Sequence, residues 1–259
     1  MTCFHAWLKT LRAGVLSGLT GAVIGAGGAS AAELQVLSAG AIEPGLASAV
    51  TAFQRETGHV VRVTFNTAPE LRKRMLGQPA FDVVIAPPAV MADFAAAGQL
   101  AAARANVGRV GMGVTVRNGA PVPDISSEEA LKQSVLDAQS VVFNRASTGL
   151  YFEGLLRRMG IEAQVQAKAT RYPDGASVLE HVIKGQGREI GFGAMTEILL
   201  YQGKGLQLVG PLPAGVQNYT AYTAAPLTSS SQPVLAQQFV GFLSGPVGKP
   251  LFVAAGVTD

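Results

Sequence analysis

The sequence predicts an α/β protein of two lobes, the second inserted into the first. Short apolar runs alternate with amphipathic stretches of helical period from residue 34 onward, which is the pattern of a parallel sheet covered by helices. A Pro- and Gly-bearing segment, residues 117–123, interrupts that rhythm before it restarts. Late in the chain, a strand-like run at 219–222 and an amphipathic helix at 233–244 need a surface that the first half can supply. These observations assign 32–115 and 223–259 to lobe 1 and 116–222 to lobe 2, with joints near 115–122 and 214–225.

The elements follow from local signals. Residues 34–37 read as a strand and 42–57 as a helix with Leu46, Val50 and Phe53 on one face, closed by Gly58 as a C-cap. A strand at 60–65, a helix at 70–76, a strand at 81–86 stopped by Pro87 and Pro88, and a helix at 90–97 complete the first series. After a strand at 110–116 come a helix at 127–136, a strand at 140–143 and a helix ending at Arg158. The Gln-Val-Gln alternation within 164–170 reads as a strand, followed by a helix at 176–184 and strands at 189–192 and 206–209.

Size and composition bound the function. A chain of 259 residues with 48% hydrophobic and 14% charged residues buries a substantial core, which excludes a disordered chain or a stapled miniprotein. Cys3 is the single cysteine, so neither an internal disulfide nor a zinc cluster is expected, and no cofactor is implied. Residues 1–31 carry Lys9 and Arg12, then an uncharged apolar stretch, then Ala29-Ser30-Ala31, the pattern of a signal peptide cleaved near Ala31. The mature protein is thus expected to be periplasmic, with 18 basic against 17 acidic residues. Such a balance argues against nucleic acid as a partner.

Three strand-to-helix turns carry the candidate chemistry: Ser38, Ala39, Gly40 and Ala41; Asn66, Thr67 and Ala68; and Ser147, Thr148 and Gly149. In an open parallel sheet such turns face one crevice, and helix N-termini offer unpaired N–H groups to an anion. Arg145, two residues before Ser147, is placed to clamp a carboxylate. Nucleophile elbows, zinc motifs and Walker loops are absent from the sequence. Should the cleft be catalytic, Glu70, His181 and Glu197 are its candidate acids and bases.

Several stretches together resemble the molybdate-binding-protein-like solute-binding proteins. They are Leu37-Ser38-Ala39-Gly40-Ala41-Ile42, the helix end Phe53-Gln54-Arg55-Glu56-Thr57-Gly58, Phe81-Asp82-Val83-Val84-Ile85, Ser147-Thr148-Gly149-Leu150-Tyr151, Glu189-Ile190-Gly191-Phe192 and Phe239-Val240-Gly241-Phe242-Leu243-Ser244. The resemblance implies a type II periplasmic binding fold with two crossover strands. It further implies a monomer that encloses a small anion, a carboxylate or molybdate-like oxyanion, and passes it to an ABC transporter's permease complex. Alanines stand at 41 and 68 where the molybdate binders have serines, and the tyrosine they place soon after the 190–193 strand is missing. Residues 116–126 and 210–213 are similar to a branch typified by bacterial aconitate isomerase, which implies a tricarboxylate in the cleft and, as an alternative function, a proton shift on it.

Overall fold

The computed structural model describes residues 31–76 and 80–259. The signal segment expected over 1–31 falls, but for Ala31, outside the described residues. Nine strands run in chain order as β1 Glu33–Ala39, β2 Val60–Asn66, β3 Val83–Ala86, β4 Ala105–Arg117, β5 Ser140–Asn144, β6 Ala169–Tyr172, β7 Glu189–Ala194, β8 Leu206–Pro211 and β9 Tyr219–Pro226. The helices are α1 Glu43–Thr57, α2 Ala68–Met75, α3 Pro88–Ala96, α4 Glu128–Asp137, α5 Ser147–Arg158, α6 Glu162–Gln166, α7 Gly175–Lys184, α8 Met195–Tyr201, α9 Pro233–Ser244 and α10 Gly248–Ala254, all among the described residues.

The strand order is β2-β1-β3-β9-β4-β7-β5-β6, with β8 on the other edge of β4. Strands β1, β2 and β3 are parallel, as the βα rhythm predicts, while β9 returns antiparallel between β3 and β4. Beyond it, β5, β6 and β7 form a second parallel set, which β4 joins antiparallel to β7 and β8. One strand therefore serves both halves: β4 pairs with β9 from Ala105 to Gly111 and with β7 and β8 from Met112 to Arg117. At the switch, the Gln217 side chain brackets the Met112 peptide, accepting its N–H at 3.1 Å and donating to its carbonyl at 3.0 Å.

Each half has its own core. In the first, Phe53 meets Phe239 and Phe242 edge-on with centroids at 5.0 and 5.3 Å, joining α1 to α9. In the second, Phe152 stacks on Phe192 at 3.8 Å and meets Phe143 edge-on at 5.2 Å, locking α5 onto the sheet. The pleat of β5 sends Val141 and Phe143 to that core and Val142 to a smaller one with Val178, Leu179 and Ile198 on the opposite face. Gly58 ends α1 in the left-handed conformation at φ 72°, with its N–H on the Gln54 carbonyl, as its position predicts.

The structure corrects the reading of 164–170 as a strand: residues Glu162–Gln166 are helical and the strand is Ala169–Tyr172. Polar-apolar-polar alternation around Val165 mimics a strand. In the fold that single apolar residue is the one α6 needs to bury, and it enters the second core. Helices α8 and α10 are further elements that the sequence pattern left unassigned.

Asp82 ties the first half together from the start of its third strand. Buried at 4% exposure, it accepts Gln35 N–H at 2.8 Å on one oxygen and the Ser230 hydroxyl and Ser231 N–H at 2.7 and 3.1 Å on the other. Asp82→Ala strands these donors, so it should cost about 3 kcal/mol of folding stability. Asp82→Asn, which keeps one acceptor oxygen, should cost less; urea unfolding midpoints of the two variants check the order.

Candidate ligand-binding cleft

Turns from both halves meet around one cavity of about 320 Å³. From the first half come the 3-10 turn Gly40–Ile42 that leads into α1, and the Asn66-Thr67-Ala68 entry to α2. From the second come the entries to α5 and α7, and α8 with its N-cap residue Ala194 leans on both, Ala194 and Met195 against the first core and Ile198 in the smallest one. A direct hydrogen bond from the Thr196 hydroxyl to the Ala41 carbonyl joins α8 to the first turn.

The helix ends are built to present backbone donors. No side chain caps α2, so the N–H groups of Ala68 and Glu70 lack helical partners, Pro69 having none to offer. At α5 the buried Asn144 takes the N–H groups of Ala146 and Gly149, both at 3.0 Å, and holds the Thr148 hydroxyl at 3.0 Å. That leaves the amides of Ser147 and Thr148 at the cleft wall. Asn66 adds a side-chain donor: its Nδ2 is shielded from solvent and has no acceptor.

Facing these donors is an acidic group. Glu43, Glu70, Asp174 and Glu197 line the cavity, and no lysine, arginine or histidine does so among the described residues. Asp174 is the N-cap of α7, accepting Ser177 N–H at 2.8 Å. Glu197 sits in the first turn of α8, half-buried, wedged between glycines of both halves. A methyl group built on Gly175 would lie 2.1 Å from its Oε2, and one on Gly40 would lie 3.7 Å from its Oε1. Burial above all, then the charges of Asp174 and Glu43, push the Glu197 carboxyl up to about 7, against the opposing effect of the Ala194 N–H that it accepts. Burial, reinforced by Glu197, also pushes the Tyr222 phenol up, so it stays neutral on the cleft wall.

Of the residues expected at the site, Ala39, Gly40, Ala41, Asn66, Thr67, Ala68, Ser147, Thr148, Glu70 and Glu197 line the cavity. Ser38 is fully buried beneath it, its hydroxyl on the Ala39 carbonyl. Gly149 is also set back: a Cβ there would fall 1.7 Å from the Asn144 carbonyl oxygen, so its glycine serves close packing. Arg145 points away into a separate hollow with Glu153 and Arg171. His181 bonds the Tyr172 hydroxyl at 2.9 Å on α7 outside the cavity.

Sequence reasoning missed Glu43, Asn144 and Asp174. The Pro173-Asp174-Gly175 run carried a legible N-cap signal, hidden by placing the preceding strand too early. Asn144, at a strand end, had no signal short of the fold itself.

Two sheets sharing a strand, with helix entries from both aimed into the gap between them, define the type II periplasmic binding fold. The chain belongs to the family of bacterial extracellular solute-binding proteins, whose model matches residues 34–258. Among characterised proteins, it is 29% identical over 220 residues to the aconitate isomerase of Pseudomonas sp, covering 82% of each chain. Among solved structures, the molybdate-binding protein of Azotobacter vinelandii superposes with TM-score 0.74 at 17% identity over 87% of this chain and 99% of that one. The sulfate-binding protein of Mycobacterium tuberculosis does so with TM-score 0.71 at 16% identity, over 87% of this chain and 86% of that one. The latter two likenesses are of fold.

A glutamate raised from its ordinary 4.5 to about 7 makes stability depend on pH with a definite sign. Its contribution is full below about pH 4.5 and is lost as pH rises through 7, because the folded state then holds a poorly solvated charge. Glu197→Gln removes that penalty, worth about 2 kcal/mol once cleft solvent is allowed for. The variant should melt about 5 °C above the wild type near pH 8 and alongside it near pH 5, as scanning calorimetry would read.

Proposed function

We propose that this is a periplasmic solute-binding protein, released by cleavage near Ala31, that closes its two lobes on a small carboxylate and delivers it to an ABC transporter. The observation that carries the reading is the set of donors with no partner: the amides of Ala68, Ser147 and Thr148 and the buried Asn66 Nδ2, contributed by both halves to one cavity. Unpaired donors at helix N-termini bind anions without cationic side chains.

Cavity size and wall chemistry favour an organic acid over a tetrahedral oxyanion. About 320 Å³ falls at the lower end of the range for small organic ligands. The wall positions Ala39, Ala41, Ala68 and Ala146 carry methyl groups, and the Thr148 hydroxyl is already held by Asn144. The Thr67, Ser147 and Tyr222 hydroxyls are spread among those methyl groups, so a longer acid can set one carboxylate on the α2 and α5 amides and leave its apolar carbons on the alanines.

A second reading is favoured by Glu197 and by the aconitate isomerase relative. A carboxyl that titrates near 7 in a cleft is suited to take a proton from carbon and return it to another, with backbone amides holding the enolate-like intermediate. Carrier and isomerase use the same wall and differ in whether a C–H bond is broken.

The mature protein should gain several degrees of melting temperature with cis- or trans-aconitate at about 100 times Kd, which corresponds to about 2.7 kcal/mol of linkage, and little with molybdate or sulfate. A molybdate response exceeding every organic acid would overturn the carboxylate assignment. Ultraviolet monitoring of aconitate with catalytic amounts of protein then separates the two readings. Steady interconversion that Glu197→Gln abolishes establishes the isomerase; its absence leaves the carrier.

A further inference from the structure

We infer that Glu197 and a carboxyl group of the bound ligand share one proton, so that the cleft captures its ligand together with a proton. This rests on the carboxylate reading above and deepens it.

The cleft wall is divided by chemistry. Asn66 and the entries to α2 and α5 supply donors, whereas Glu197, Asp174 and Glu43 supply oxygens alone when ionised. A ligand with a single carboxylate satisfies the first side. A ligand with a further carboxylate long enough to reach the second side meets Glu197, and two like charges at hydrogen-bond distance cannot both stay ionised. One shared proton turns that repulsion into a charge-assisted hydrogen bond.

Glu197 is held for this role more firmly than its neighbours. Glu70 is exposed and has Lys73 at 3.9 Å, and Asp174, like Glu197, accepts one backbone amide, that of Ser177. Glu197 instead has Gly175 pressed against one oxygen and Gly40 near the other, leaving no room for a side chain at Gly175 and, among the described residues, no cation as partner in the cavity. The ionisable groups facing it are Asp174 from α7, Glu43 from α1, Glu70 across the cleft on α2, Tyr222 from β9 and Tyr201 on its own helix. All are acidic, and every one that ionises favours a proton on Glu197.

Its neighbours belong to both halves. Gly40 sits in the first half and Gly175 in the second, so lobe closure encloses Glu197 and the ligand carboxyl in one dry compartment. Proton capture and closure become a single linked equilibrium.

The test is calorimetric titration of the full mature chain with trans-aconitate in two buffers of different ionisation heat, from about pH 6 to 9. Above about pH 8 the wild type should take up about one proton per ligand, and Kd should rise about tenfold per pH unit. Glu197→Gln, which keeps a donor, should bind with no proton uptake and Kd flat within about twofold. Asp174→Asn, which keeps the cap but removes the charge, should move the wild-type midpoint to lower pH.

Binding by the wild type with no proton uptake overturns the inference while leaving the carboxylate cleft intact. So does an undiminished slope in Glu197→Gln, or an unmoved midpoint in Asp174→Asn. If no organic acid binds at any pH, the carboxylate reading falls first and this inference with it.

Discussion

The cleft depends on β4 belonging to two sheets at once. Its first seven residues complete the sheet of β1, β2, β3 and β9, and from Met112 it runs on into the sheet of β5 to β8. A strand cannot bend sharply without giving up ladder hydrogen bonds, so the two halves are held face to face across a gap of fixed location. The Gln217 amide restores bonds at the Met112 peptide where the ladder changes partners. With β9 returning beside β4, the halves are joined by adjacent segments, a geometry suited to hinge closure.

Because the strands β1, β2, β5, β6 and β7 all end toward that gap, their following helices begin there, and each beginning is a cluster of unpaired amides. The protein treats these ends in different ways. The α7 end is capped by the Asp174 side chain, and Glu197 in the first turn of α8 reaches back to the Ala194 amide. The α5 end is half closed by Asn144, and the α2 end has no side-chain cap. What stays open for a ligand is the remainder, concentrated at the α2 and α5 entries, while the closed ends leave carboxylates in the wall. The same economy of capping thus produces both donor and acid sides of the cavity.

The fold was readable because its signals are local. Gly58 stops a helix, Pro87 and Pro88 stop a strand, and apolar runs such as Val83 to Ala86 are too short to be anything but buried strands. The turns of the cleft were readable for the same reason, since a strand followed by small residues and a helix is visible along the chain. Side-chain direction was not. Arg145 is adjacent to the α5 entry in sequence, yet the end of β5 turns it to the outer face with Arg171, while Asn144 one residue earlier faces inward. The Glu197 environment comes from Gly40, 157 positions away, and Gly175, on different elements, and no spacing rule links such residues. Val165 shows the converse failure, where a local pattern was clear and wrong because a five-residue helix offers too little period to distinguish it from a strand.

The contrast between a carrier and an isomerase on this scaffold reduces to where a proton can rest. A carrier needs only that the closed state be favoured when the ligand is present, which unpaired amides achieve by gaining partners. An isomerase needs in addition a group whose two protonation states are close in free energy while the cleft is shut, because a committed acid or base would stop after one transfer. A cleft with cations beside its carboxylates would hold them ionised. This one surrounds Glu197 with acids and glycines, and its burial brings the carboxyl to about 7, where both states lie within reach. The step from binding to chemistry on such a wall thus requires no new residue, only a ligand whose acidic C–H lies against an oxygen already poised to exchange a proton.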